Sequence, residues 1–310
     1  MTSPELRLKE MNWQLLNKEP ITGVHAGSIY RITVTTHDNN RSTYIYKEFV
    51  KERNNEADVY KKLQSTLKPF SKLIKLWDSS PQAILMCDLH APMKEGFIEL
   101  PLENKKNLLK HILKRLADLH SLHLGKIADD LPVHSISSEW YEWGLDQMKR
   151  LCTRHKWAKP EWIQSLQHAY SKLGLHHYKI KSPLTLTHGD PHLENLFLLD
   201  EGIWFIDWEW AAMASPLRDI TILLQDIYDP DLIQYSNKYY RDLLEAKGFP
   251  ISKEDYRNDF NHLYIDHTTM MLAWEIEKYY KGYVSEERMK EITTFKIREI
   301  NRVAKEALGE

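Results

Sequence analysis

The sequence predicts an α+β protein of two lobes, in which a β-rich first lobe precedes a mainly helical second lobe that carries a β-hairpin. Two observations predict this division. Strand-type patterns with one strong helix fill the residues before Asp88, and long amphipathic helices follow it. We therefore place the first lobe at residues 1–88 and the second at residues 89–310.

Length, composition and charge limit the classes of protein that this chain can be. A chain of 310 residues can form one large or two ordinary domains, and 42% hydrophobic with 28% charged residues is typical of soluble globular proteins. A formal charge of −2 disfavours nucleic acid as a partner, since that requires a basic surface. No apolar run reaches membrane-spanning length, and the charged start lacks the apolar core of a signal peptide, so no membrane partner is expected. Cys87 and Cys152 are too few for a disulfide framework and indicate reduced thiols in a cytoplasmic protein. The oligomeric state stays open.

The first lobe begins with a short predicted helix within residues 1–20, followed by a glycine-bearing β-type run at Ile21–Thr35. Taken alone, those glycines indicate a turn. Thr43–Val50 alternates as a strand, and its Ile45, Lys47 and Phe49 share one face. Lys47 therefore points with two apolar neighbours rather than away from them.

The helix that follows carries a carboxylate on its apolar side. Asn54 is the predicted N-cap, and Glu56, Tyr60 and Leu63 fall at i, i+4 and i+7 on one stripe. A buried carboxylate needs a cation, and Lys47 is the natural partner. A glutamate at the border of the stripe is the alternative interpretation, and it stays open.

Further elements continue the division into lobes. Two strands are predicted at Leu73–Trp77 and Ala83–Met86, around a turn that contains a proline. Helical patterns follow at residues 104–122, 137–180, 259–280 and from Ser285 onward.

A polar loop and a hairpin stand out in the second lobe. Two apolar runs, Leu196–Leu199 and Ile203–Ile206, flank a short turn with a glycine and predict a hairpin. Asp190 and Asn195 precede it, and Asp207 follows its far strand, so all three return to one mouth of the hairpin. Two oxygen donors and a further carboxylate then converge, as Mg²⁺-dependent phosphoryl transfer requires.

This stretch carries a family resemblance. The loop HGDPHLEN, followed by FIDWE, resembles the catalytic and metal-binding loops of the aminoglycoside phosphotransferase and choline-kinase superfamily, a branch of the protein-kinase-like fold. The resemblance implies that Asp190 is the catalytic base, that Asn195 and Asp207 hold Mg²⁺, and that His188 braces the loop. It also implies structural roles for His120, in a segment similar to the LAxLH signature, and for Asp219.

The same resemblance implies a nucleotide site. Its backbone or side-chain groups come from Gly27, Ser28, Lys47, Glu56, Cys87 and Leu89. Backbone N–H groups near the first two residues would cover the phosphates, and the lysine, with its glutamate, would grip the α- and β-phosphates. Backbone groups near the last two would meet the adenine edge.

The resemblance therefore implies a small-molecule kinase. It would be a phosphotransferase that transfers a phosphoryl group from ATP, with Mg²⁺, to a hydroxyl of a small molecule; GTP as the donor is not excluded. Members of the superfamily phosphorylate aminoglycosides, choline-like alcohols, homoserine, thiamine and modified sugars, so the acceptor stays open.

Two alternatives belong to other classes of protein. His188, Asp190 and His192 spell HxDxH, which can mark a metallohydrolase, but the other histidines are scattered and this interpretation leaves Lys47 and Asn195 without a role. A non-catalytic scaffold with a kinase-like fold is the second alternative. Degeneration typically removes the base, the metal aspartate or the phosphate lysine, and all three are present.

Overall fold

Residue contacts divide the chain into two units. The computed structural model describes residues 4–21, 28–199 and 202–310. The first unit comprises Met1–Leu100, Leu124–Asp130 and His188–Ala211, and the second comprises Pro101–His123, Leu131–Thr187 and Ala212–Glu310. The hairpin thus groups with the β-rich residues. The lobe boundary at residue 88 stays a prediction.

The first unit is built on one antiparallel sheet of five strands in the order β1-β2-β3-β5-β4. These strands are β1 Gln14–Pro20, β2 Ser28–Thr35, β3 Arg41–Glu48, β4 Leu73–Trp77 and β5 Ala83–Cys87. Helix α2 Asn55–Leu67 and the short helices α1 Pro4–Lys9 and α3 Met93–Phe97 accompany it. The β-rich character predicted for this part of the chain is confirmed.

One strand was not predicted. β1 lies within the first 20 residues, where the sequence indicated only a helix, and that helix is α1. Six of the seven β1 residues are exposed, since the strand forms one edge of the sheet. A strand exposed on both faces carries no apolar alternation, so periodicity could not reveal it.

Helix α2 buries the predicted stripe. Glu56, Tyr60 and Leu63 are all at most 1% exposed. Asn54 stands at the N-cap position, but its side chain does not cap the helix. Its amide donates instead to Gln82 Oε1 at 2.7 Å, so the predicted capping role is wrong: the side chain pairs with the segment before β5.

The predicted hairpin is present with a one-residue shift in its second strand. β7 Leu196–Leu199 pairs with β8 Gly202–Phe205, and Leu196 lies opposite Phe205. The predicted turn residues Asp200 and Glu201 lie outside the described residues. Short 3-10 turns, Leu193–Asn195 and Trp208–Trp210, adjoin the two open ends of the strands.

The second unit is mainly helical, as predicted. Its helices are α4 Leu102–His120, α5 Ser138–Arg154, α6 Glu161–Leu173, α7 Leu217–Leu223, α8 Pro230–Ala246, α9 Lys253–Tyr280 and α10 Glu286–Leu308. Two short antiparallel strands, β6 Thr185–Thr187 and β9 Ala212–Ala214, complete it. Every helix in the described ranges is too short or too polar to span a lipid bilayer.

Buried polar groups tie these helices together. His120 at the end of α4 contacts the Tyr240 hydroxyl through Nδ1 and lies 2.9 Å from Asp219 Oδ2 through Nε2. All three side chains are shielded from solvent. A buried imidazole with partners on both nitrogens is a structural arrangement, in agreement with the roles expected for His120 and Asp219.

Asp266 on α9 is a buried carboxylate, and only one of its two oxygens accepts a hydrogen bond in the described part of the chain. Tyr170 donates to its Oδ1 at 2.8 Å, whereas Oδ2 has no hydrogen-bond partner in the described part of the chain. Burial raises the pKa of Asp266 to about 7, and the hydrogen bond from Tyr170 acts in the opposite direction. Folding therefore favours the protonated acid at this position.

We expect Asp266→Asn to stabilise the protein in neutral and alkaline solution. The pKa of Asp266 is higher in the folded protein than in the unfolded chain. Its contribution to the free energy of unfolding is therefore fully present at low pH and is lost as the pH rises toward 7. Asparagine mimics the protonated acid, and its advantage should approach about 3–4 kcal/mol at about pH 8. Urea unfolding across this pH range measures the difference.

Asp259→Asn provides the matched control on the same helix. The Asp259 carboxylate accepts hydrogen bonds from Tyr178 Oη and from the backbone N–H groups of Lys181 and Ser182. An amide cannot accept at both positions, so this variant should lose stability. Parallel pH profiles for wild type and Asp266→Asn would contradict the interpretation of Asp266.

Candidate active site

The mouth of the β7–β8 hairpin brings two predicted metal ligands to one place. One step beyond the Leu196–Phe205 pair, the Ile206 N–H donates to the Asn195 carbonyl at 3.1 Å. Asp207 follows directly, with a left-handed backbone at φ 63° and ψ 60°. Aspartate tolerates this region better than most residues. Asp207 thus follows the end of β8, and the Ile206–Asn195 hydrogen bond brings its backbone close to that of Asn195.

Lys47 of β3 contacts two carboxylates. Its Nζ lies 2.6 Å from Glu56 Oε2 and 2.8 Å from Asp207 Oδ1. The lysine side chain is 14% exposed, and the ammonium lies 5.3 Å from the centroid of the Phe49 ring. The predicted Lys47–Glu56 ion pair is therefore present, and the border position considered for Glu56 is wrong, because the side chain is 1% exposed.

Opposing effects set the protonation of this group. Burial disfavours the charge on Lys47, but the carboxylates of Glu56 and Asp207 outweigh it and raise the lysine pKa well above its ordinary value. Burial also raises the pKa of Glu56, and Lys47 acts against that rise. The ammonium is thus held charged at neutral pH, and it is the counter-ion that makes a buried Glu56 tolerable.

Asp190 has nitrogen partners at both carboxylate oxygens. Asn195 Nδ2 donates to its Oδ2 at 3.1 Å and to its backbone carbonyl at 2.8 Å. His192 Nε2 lies 3.1 Å from Oδ1. The Asp190 side chain remains 31% exposed, so it can still meet a substrate.

His188 connects the polar loop to the far strand of the hairpin. Its Nδ1 accepts the Asp190 backbone N–H at 3.2 Å, which places the ring proton on Nε2. Nε2 then donates to the Ile206 carbonyl at 2.9 Å. Both ring nitrogens serve the backbone, as the expected bracing role requires, and neither is presented to a metal.

The metallohydrolase interpretation loses its ligands in this arrangement. His188 is engaged with the backbone, and His192 is paired with Asp190. Within the described ranges, no group of three or more His, Cys, Asp or Glu side chains is placed to hold a metal ion. That finding does not bear on the Asn195–Asp207 pair, which contains only one such residue.

The expected adenine-edge residues lie at the end of the sheet. Cys87 ends β5, and its N–H donates to the Lys72 carbonyl at 3.0 Å. Leu89 is buried and packs with Phe197 and Trp204 of the hairpin, against which Cys87 and Ile206 also pack. This apolar cluster therefore adjoins Asp207 through the neighbouring Ile206.

The expected phosphate loop is described only in part. Gly27 lies outside the described residues. Ser28 begins β2 opposite Glu48, and its neighbour Ile29 lies opposite Lys47. Ser28 is therefore the sequence neighbour of Ile29, the β2 residue that pairs with Lys47.

Sequence reasoning missed two pairs in this region. Arg31 of β2 binds Asp88 through Nε at 2.7 Å and through Nη2 at 3.3 Å, and the His90 N–H also donates to Asp88 at 3.0 Å. The carboxylate raises the pKa of Arg31. The second is Arg53 with Glu209 at 3.4 Å. A single charge in a strand or turn gives no signal of a partner far along the chain.

Comparisons with known proteins identify a family for this chain. The model of the phosphotransferase enzyme family (APH) matches residues 46–254, which include Lys47, Glu56, the polar loop and Asp207. No curated protein matches the sequence.

Solved structures resemble the fold along nearly the whole chain. A spectinomycin phosphotransferase with ADP and spectinomycin has a TM-score of 0.63 at 16% identity, covering 94% of this chain and 97% of its own. The choline kinase LicA from Streptococcus pneumoniae gives 0.59 at 15% identity, covering 96% of each chain. A GDP complex of an aminoglycoside 2'-phosphotransferase variant gives 0.64 at 12% identity, covering 96% of this chain and 99% of its own. The chain therefore belongs to the phosphotransferase enzyme family and has the protein-kinase-like fold.

Proposed function

We propose that this protein transfers the γ-phosphoryl group of ATP to a hydroxyl of a small molecule, with Mg²⁺. The observation that carries the proposal is the position of Lys47, within 2.8 Å of both Glu56 and Asp207. A buried ammonium beside a partly exposed carboxylate suits a polyphosphate accompanied by a cation. The acceptor oxygen forms a bond to the γ-phosphorus, and the bond to the oxygen bridging the β- and γ-phosphates breaks.

In this proposal Asp190 receives the proton of the acceptor hydroxyl. Its carboxylate contacts nitrogen donors of the loop and no lysine or arginine among the described residues. The Asp190 carboxylate can therefore orient a hydroxyl, whereas the Asp207 carboxylate forms an ion pair with Lys47. Because phosphoryl transfer has a loose transition state, positioning and charge neutralisation should matter more than the basicity of Asp190.

The donor set at the hairpin mouth fits Mg²⁺. Lys47 occupies Oδ1 of Asp207, and Asn195 directs its Nδ2 toward Asp190, so Asp207 Oδ2 and Asn195 Oδ1 are the oxygen atoms that would hold the ion. Mg²⁺ prefers oxygen donors and commonly uses one or two protein ligands together with phosphate oxygens. When bound, the ion would supply neutralisation of phosphate charge.

The remaining residues would bind the nucleotide. Lys47 would contact the α- and β-phosphates, with Glu56 as its fixed partner, and the backbone near Gly27 and Ser28 would cover them. Backbone groups near Cys87 and Leu89 would meet the base, supported by the apolar cluster with the hairpin.

The neighbouring structures support a nucleotide donor without deciding which one. One of them contains ADP and another contains GDP. ATP is the proposed donor, GTP stays the alternative, and the acceptor is a hydroxyl compound of amino-alcohol, aminoglycoside or sugar type. The cytoplasmic location expected from the sequence is part of this proposal.

We expect two aspartate substitutions to separate the proposed roles. Asp207→Ala should abolish Mg²⁺-dependent nucleotide binding, because it removes one of two metal oxygens. Asp190→Asn should keep nucleotide affinity and lower turnover by about 10²–10⁴-fold, the usual loss for a general base. Nucleotide affinity is measured by calorimetry, and turnover as ADP release from MgATP over a panel that includes choline, ethanolamine and spectinomycin.

Asp129→Asn, at an exposed position of the same unit, is the control for both and should match wild type. Equal loss of nucleotide affinity in the two site variants would show that the base is misassigned. Bound nucleotide with wild-type turnover in Asp190→Asn would reject the proposed mechanism, and binding without any turnover by wild type would favour the scaffold alternative.

We expect His188→Phe to destabilise the loop that carries Asp190. Phenylalanine preserves a ring of similar size but removes the partners of the Asp190 N–H and the Ile206 carbonyl. Each buried polar group without a partner costs about 1–3 kcal/mol. Urea unfolding should therefore show a lower midpoint for His188→Phe and no change for His177→Phe, which replaces an exposed histidine. Equal midpoints would contradict the bracing role.

A further inference from the structure

His192 is folded back against Asp190. Its Nε2 lies 3.1 Å from Asp190 Oδ1, and its backbone N–H donates to the Asp190 carbonyl at 2.9 Å. The imidazole is 13% exposed, so the protein covers most of it. Its position is therefore fixed by the loop itself as well as by the side-chain contact.

The other oxygen of the same carboxylate is held from the opposite end of the loop. Asn195 Nδ2 donates to Asp190 Oδ2 at 3.1 Å, while the Asn195 N–H donates to the His192 carbonyl at 2.8 Å. Together with the 3.1 Å contact between His192 Nε2 and Asp190 Oδ1, these hydrogen bonds connect the three residues in a closed ring of contacts. Turning the carboxylate about its side-chain bond would break both contacts at once.

This arrangement matters for a base that acts mainly through position. An ionised carboxylate has about four lone-pair sites, and the two nitrogen donors use one on each oxygen. The sites that remain can receive a substrate hydroxyl only while the carboxylate keeps its orientation. Misplacement of a reacting group by about 1 Å can cost about 10²-fold in rate.

We propose that His192 is a positioning residue for phosphoryl transfer, whose Nε2–H donates to Asp190 Oδ1 and fixes the orientation of the carboxylate that accepts the hydroxyl proton. This inference rests on the proposed role of Asp190. It gives the second histidine of HxDxH a function in a kinase, where the sequence alone offered only a metal ligand. His192 acts through Asp190, so its effect should vanish when the carboxylate is absent.

The first test compares variants with and without a donor. His192→Leu removes the N–H, and His192→Gln retains an amide donor of comparable reach. A hydrogen bond to a charged group corresponds to about 10- to 100-fold in rate, so kcat should fall by about that factor in His192→Leu. The KM for ATP should stay within about twofold, and His192→Gln should recover most of the activity. The assay is ADP release from MgATP, with the best acceptor of the panel and with water alone.

The decisive test is a double-mutant cycle with Asp190→Asn. If His192 acts through the carboxylate, His192→Leu should cost little further activity in the Asp190→Asn background. Additive losses would overturn the proposal and show that His192 acts independently of Asp190. Wild-type kcat in His192→Leu, or no recovery in His192→Gln, would also overturn it.

Controls keep the two proposals distinguishable. His177→Leu, at an exposed site, should leave kcat unchanged, and melting temperatures check that the variants are folded. Should His192→Leu not fold, His192→Met, which also lacks a donor, takes its place. If Asp190→Asn alone leaves turnover intact, the proposed base is wrong; if it lowers turnover and the cycle is additive, only the role of His192 is wrong.

Discussion

The contact of Lys47 with two carboxylates is the interaction on which the candidate site depends. A buried ammonium and a buried carboxylate are each costly, and removing one partner of such a pair typically costs about 3–5 kcal/mol. Glu56 is 1% exposed and Lys47 is 14% exposed, so neither can be satisfied by water alone. The lysine also lies 2.8 Å from Asp207, which joins strand β3 and helix α2 to the end of the hairpin. In the proposed mechanism, the same ammonium meets the nucleotide phosphates beside the metal aspartate.

The hairpin and its preceding loop supply the second half of the arrangement. His188 accepts from the Asp190 backbone and donates to Ile206, while Ile206 donates to Asn195. These hydrogen bonds fix the backbone of the proposed base and of the proposed metal ligands relative to one another. Proposed roles as different as proton transfer and metal binding therefore depend on a single short segment. The side chains are ordered by hydrogen bonds, so the geometry can be assembled before any substrate arrives.

A contact of the candidate site could be predicted from the sequence where neighbouring residues form a recognisable pattern, and could not where the partners lie far apart in the chain. The hairpin follows from two apolar runs and a turn, so the return of Asp207 to the end that carries Asn195 was predictable, although the second strand is shifted by one residue. The Lys47–Glu56 pair was predictable because both charges fall on apolar faces of neighbouring elements. The second contact of Lys47 was not, since its partner is 160 residues away and no periodicity encodes that distance. The pairing of His192 with Asp190 was also missed, because HxDxH spacing suits metal binding equally well.

The most direct measurement is the Kd of ATP for wild type and Lys47→Met, determined by calorimetry with and without Mg²⁺. In the proposed mechanism, Lys47 connects the nucleotide phosphates to Asp207, the proposed metal ligand. This claim predicts that Mg²⁺ tightens ATP binding by wild type, and that Lys47→Met weakens binding in both conditions and reduces the effect of Mg²⁺. Lys51→Met, which changes an exposed lysine in the turn after β3, should behave as wild type. An unchanged Kd together with an unchanged effect of Mg²⁺ in Lys47→Met would contradict the claim.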